Sequence, residues 1–229
     1  MCAVGEKGVV KEAMDRKEYL QPYFDQVAEF HSYLSPGSVI GVFMVDLAKE
    51  LLGPPRSFIR AVVETSACVP DAVQLMTDCT CGNNWMKVKD WGKMALTLYD
   101  REERGGVRVF LDIDKIKKYP LIYQWYMKSS EVDHDKVTGE LIDIGRNILS
   151  WQRVKVNLPR KVKRTFVVCP SCNETHLASD GELCQRCSGS DNYYEIIDED
   201  LVASPTSMTG VPVGDRPVLL SDNGPGISL

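Results

Sequence analysis

Four cysteines stand in two Cys-x-x-Cys pairs, Cys169-Pro170-Ser171-Cys172 and Cys184-Gln185-Arg186-Cys187, with Asn173 to Leu183 between them. Each turn can aim two thiolates at one point, and four thiolates complete the tetrahedral shell that structural zinc prefers. A pair of disulfides would call for an oxidising compartment, and a redox Cys-x-x-Cys for a thioredoxin-like strand and helix around one pair. Neither context is present. A closed shell of thiolates leaves no position for substrate, so such a zinc braces its module and does not react. Residues 166–203 hold too little apolar content for a stable core of their own, so metal binding contributes most of their folding free energy. His176 lies between the two pairs and reads as a solvated loop histidine.

A second set of chemistry-bearing residues is scattered: His31, Cys68, Cys79 and Cys81. Free cysteines are more often small buried hydrophobes than ligands. The elements that position them decide the matter. Phe24, Val27, Ala28 and His31 fall on one helix face, which turns His31 inward. Ser35 then reads as an N-cap with Pro36 at the first helical position, and Ile40, Phe43, Leu47 and Leu51 continue at helical spacing until Gly53-Pro54-Pro55. Two helices therefore meet at FHSYLSPG. Phe58 to Thr65 reads as a strand, and Pro70 and Asp71 open a short helix through Met76, with Cys68 at the strand-to-helix turn. Cys79 and Cys81 sit in a loop, followed by strands at Trp85 to Lys89, Met94 to Tyr99 and Val107 to Ile113. Ile116 to Met127 and Asp135 to Trp151 show helical patterns. Helices gathered beside a mostly antiparallel sheet indicate an α+β fold with a small C-terminal zinc-binding module.

The chain divides into a core domain over 1–152, a basic linker over 153–165, the four-cysteine module over 166–203 and a Pro/Gly/Ser-rich tail over 204–229. With 44% hydrophobic and 26% charged residues, the 229-residue chain is globular in composition. No apolar run approaches the roughly 20 residues that span a bilayer, and the polar N-terminus does not read as a signal peptide. A cytoplasmic location, away from the membrane, is the expectation. The net charge of −5 argues against a nucleic-acid coat. The basic run from Arg160 to Arg164 keeps nucleic-acid binding as a less favoured option, set against the acidic Glu195 to Asp200.

Read in order, FHSYLSPG, ETSACVPDAVQLMTDCTCG and KDWGKMALTLYDREERGGVRVFLD resemble the motifs of the formylmethanofuran dehydrogenase E-subunit (FmdE) family, over most of residues 20 to 115. Some members of that family also carry a C-terminal four-cysteine treble-clef zinc finger. The resemblance implies an α+β core, commonly a homodimer, with a cleft where a second divalent metal can be held. It carries over His31 for the family's first histidine, Cys68 for the cysteine ahead of Asp71-Ala72, and Cys79 for the cysteine before threonine. Two positions depart: Tyr33 stands where the family has its second histidine and Ser35 where it has a cysteine. The function so implied is an accessory metal-binding protein of one-carbon or molybdopterin-enzyme metabolism, docking to a redox enzyme. The alternatives are a small metal-dependent enzyme with His31 and Cys68 as ligands, or as base and nucleophile, in a core cleft, and a zinc-finger nucleic-acid-binding regulator.

Overall fold

The computed structural model describes residues 5–55, 57–159 and 163–195, with side chains from Arg16 onward. The chain forms two compact units, Met1–Pro159 and Arg160–Leu229. Arg160 and Lys161 of the basic run, and the tail from 204, lie outside the described residues.

The first unit opens with helix α1 (Gly5–Phe30), whose Leu20, Phe24 and Val27 recur on one face and are fully buried. It ends where the Val27 carbonyl accepts the His31 N–H and Ser32 turns left-handed. Helix α2 (Pro36–Leu52) follows, and nearly every residue from Pro36 to Val45 is buried, as expected of a helix that is apolar all round. It packs on α1, where Phe24 and Phe43 meet edge to face at 5.5 Å. Strand β1 (Ile59–Val63) leads into helix α3 (Val69–Met76), and both helices α1 and α2 contact α3.

Strands β2 (Met86–Val88), β3 (Ala95–Asp100) and β4 (Gly105–Leu111) follow. Helices α4 (Ile113–Ile116), α5 (Pro120–Met127) and α6 (His134–Ile144) precede β5 (Leu149–Lys155). The sheet order is β2-β1-β3-β4-β5, with β1 and β2 parallel and every other pair antiparallel. The α+β expectation holds. Leu96 and Leu98 of β3, with Val107 and Val109 of β4, turn to the helices. On the opposite face Arg108 grips the buried Glu64 through two hydrogen bonds of 2.6 and 2.7 Å. This pairing holds the Arg108 guanidinium above its ordinary pKa.

Two sequence expectations need correction. The helix expected over 116–127 is two helices, because Pro120 offers no N–H and can only begin the second. The helix expected over 135–151 stops at Ile144, where Gly145 turns to φ 62° and its N–H caps the Leu141 carbonyl. Trp151 instead lies on β5, paired with Val109, and that strand runs on through Lys155.

In the second unit β6 (Phe166–Val168) and β7 (Thr175–Leu177) form an antiparallel hairpin. Cys169 follows β6 directly, and the turn Cys169 to Asn173 is closed by the Asn173 N–H on the Cys169 carbonyl at 2.9 Å.

Candidate functional site

The four paired cysteines converge. Among the described residues they are the one set of three or more His, Cys, Asp or Glu side chains whose ligand atoms lie within 4.8 Å of one another. Cys172 Sγ and Cys184 Sγ are 3.8 Å apart. A tetrahedron with Zn–S arms of about 2.3 Å has edges of about 3.8 Å, so the spacing suits zinc. Backbone hydrogen bonds, that of Cys184 foremost, bring the Cys169 thiol down to about 6. At Cys172 a backbone hydrogen bond from Glu174 favours the thiolate, but burial and the three neighbouring sulfurs outweigh it and push the thiol up to about 12. A cation at the centre of the cluster would relieve that crowding, because ligation takes all four sulfurs as thiolates. His176, expected in a solvated loop, is instead buried on β7, with Nδ1 3.1 Å from the Leu177 carbonyl.

The second constellation is built where three helix ends meet. The end of α1 supplies His31, the start of α2 supplies Ser35, and the start of α3 supplies Cys68 and Asp71. His31 Nδ1 lies 2.6 Å from Asp71 Oδ2, and His31 Nε2 lies 4.0 Å from Cys68 Sγ. The His31 and Asp71 side chains are 22% and 25% exposed, so the group opens to solvent. Ser35 Oγ caps α2 by accepting the Ser38 N–H at 3.1 Å, and donates to Cys68 Sγ at 3.5 Å. Cys68 itself has φ 57° and ψ −53°, at the centre of a γ-turn closed by the Val69 N–H on the Ala67 carbonyl at 2.6 Å. Strain of this kind persists only where the surroundings enforce it. The close approach of α2 is part of that enforcement: a Cβ on Gly37 would lie 2.7 Å from Cys68 Sγ.

His31 and Cys68 are thus brought together, and Cys79 is not part of the group. Cys79 is buried behind β1 and donates to the Ile59 carbonyl at 3.4 Å. Desolvation pushes its thiol up, as for an inert core cysteine. Asp71 is a site residue that the sequence pattern alone did not single out. It stands three residues after Cys68 at the start of α3, but the partner that gives it a role, His31, lies forty positions earlier in the chain. As a cradle for a second divalent ion the cleft fits poorly, because His31 Nε2 and Cys68 Sγ are two donors where zinc takes four ligands. Tyr33 and Ser35 occupy the positions where further donors were expected.

Comparison with known proteins agrees with the two-unit layout. Residues 30–156 match the family model described as FmdE, molybdenum formylmethanofuran dehydrogenase operon, and residues 160–195 match the FmdE treble clef zinc finger. The chain is similar to the crystal structure of a tungsten formylmethanofuran dehydrogenase FmdE-like protein from Syntrophus aciditrophicus. The two are 41% identical with a TM-score of 0.69, over 76% of this chain and 94% of that one. It is also 31% identical over 212 residues to a probable S-adenosyl-L-methionine-binding protein of Archaeoglobus fulgidus, covering 80% of this chain and 56% of the relative. The chain therefore spans about half the length of that curated relative.

Proposed function

The chain belongs to the FmdE family, and from that premise we propose that it is an accessory metal-binding protein of one-carbon or molybdopterin-enzyme metabolism that docks to a redox enzyme. Cys169, Cys172, Cys184 and Cys187 hold one structural zinc, whose chemistry is to fix the fold of the second unit. The observation that carries the docking role is strand β6, where Phe166, Val167 and Val168 are all exposed directly beside the first cysteine turn. Phe166 and Val168 alternate onto one side of β6 and offer apolar surface that a partner can cover. The descriptions of the matched family model and of the S. aciditrophicus protein, which refer to molybdenum and tungsten formylmethanofuran dehydrogenases, support the choice of partner class.

The test is affinity purification of the full chain from its native cells, with molybdenum and tungsten measured in the eluate and the associated polypeptides identified. A molybdopterin or tungstopterin enzyme in stoichiometric amount, lost on Phe166→Ser with Val168→Ser, is the expected result. A chain that elutes with zinc alone, as monomer or homodimer, overturns the docking role. The description of the A. fulgidus relative favours a second reading, binding of S-adenosyl-L-methionine. Isothermal titration with that compound checks it directly.

A further inference from the structure

We infer that Cys68 is a covalent nucleophile for activated acyl groups, with His31 as its base and Asp71 as the residue that orients the base. This goes beyond the docking role and does not depend on it.

The assignment follows from which atom faces which. An ionised Asp71 carboxylate can only accept, so His31 Nδ1 donates to it across 2.6 Å and the lone pair is left on Nε2. That lone pair faces Cys68 Sγ at 4.0 Å, the outer limit of a sulfur hydrogen bond and a separation that tightens when substrate is bound. A base that touches the nucleophile and is held by a third group is the general signature of nucleophilic catalysis. The same atoms suit a metal less well, because Asp71 already occupies one ring nitrogen and only two donors face a common point.

The surroundings point to acyl chemistry. The strained γ-turn presents the sulfur beside the first turn of α2, where the absent Cβ of Gly37 leaves room for it. The positive end of that helix favours the negative charge that develops on a carbonyl oxygen under attack. Ser35 Oγ, donating to Sγ at 3.5 Å, supports the anionic sulfur as the proton leaves. The substrate class is an acyl thioester or aryl ester, whose carbonyl a thiol can attack without oxidant or reductant.

In the step itself the Cys68 S–H proton passes to His31 Nε2 as Sγ bonds to the carbonyl carbon. The bond from that carbon to the leaving group breaks, and the leaving thiol or alcohol takes the proton from Nε2. Water then attacks the Cys68 thioester, returning a proton to Sγ through His31 and releasing the carboxylic acid. Atoms and charge balance, and no electrons are transferred to or from the protein.

Cys81, an exposed thiol on the same chain, serves as an internal reference. Full-length protein treated with p-nitrophenyl acetate is digested and the acetylated peptides are timed by mass spectrometry. Cys68 is expected to be acetylated roughly a hundredfold faster than Cys81, an advantage lost in His31→Ala. Asp71→Asn is expected to lower the Cys68 rate with Cys81 unchanged, and Asp71→Glu to restore part of it, a rescue that lost folding would not give. An unchanged circular dichroism spectrum and thermal melt establish that each variant is folded, with the Cys81 rate as the reference for ordinary thiol reactivity. Equal rates at Cys68 and Cys81, or a Cys68 rate indifferent to His31, overturn the proposal. So does a stoichiometric second metal ion that disappears on Cys68→Ser.

Discussion

At the residue scale the cleft depends on what is missing from Gly37 as much as on what is present. In Gly37→Ala the new methyl would lie 2.7 Å from Cys68 Sγ and 3.0 Å from its Cβ, so the Cys68 side chain, or the γ-turn that carries it, must shift. The expected outcome is a folded protein destabilised by about 1 to 3 kcal/mol in urea titration, with the Cys68 acetylation advantage reduced. On the far face of the sheet, Arg108→Met leaves the buried Glu64 without its partner, and a loss of about 3 kcal/mol is expected in the same measurement. Asp100 makes a pH prediction. Backbone hydrogen bonds, that of Glu103 first, together with Ser57 hold its carboxyl well below the usual carboxylate range. Its folded pKa is depressed, so its contribution is complete above the unfolded value of about 4 and is lost as pH falls toward the folded one. Asp100→Asn should therefore flatten the acid limb of the stability profile while leaving its alkaline limb unchanged, as read by thermal melts across pH.

At the element scale, the joint between α1 and α2 was legible because its signals are local. Ser35 caps, Pro36 starts the helix, and both act within one turn. The break at Pro120 and the stop at Gly145 were equally local, yet the periodicity of the apolar residues masked them. Residues 149–155 suit a helix pattern or a strand, and only the ladder with β4 decides between them. Asp71 was illegible as a site residue for a different reason. Its meaning comes from His31, forty positions away, and no spacing rule within α3 reports that contact. Cys79 shows the converse: its place in a motif suggested chemistry, and its burial against the Ile59 carbonyl removes it from the cleft. Ser35→Cys tests how these helix starts limit the cleft. It places a third soft donor beside Cys68 Sγ and His31 Nε2, so metal analysis is expected to give two zinc ions per chain where the unaltered protein gives one.

At the scale of the whole molecule the two units draw their stability from different sources. The first has a continuous apolar core that joins α1, α2, α3, α6 and the sheet, whereas the second has short strands with an exposed apolar face. Removing zinc with a strong chelator is therefore expected to abolish the structure of the second unit while the calorimetric transition of the first persists. Cys169→Ser should have the same effect without chelator. Arg153 to Lys155 look like linker by their charge and act as the end of β5, because only pairing with β4 gives them a regular place. The convergence of three helix ends also has a kinetic meaning. Cys68 and Asp71 lie three residues apart, at the cap and in the first turn of one short helix, but the imidazole arrives only when α1 docks through Leu20, Phe24 and Val27. Before that docking the chain carries a thiol without its base. Cys68 reactivity therefore reports the docking of α1 as well as the local geometry at the start of α3.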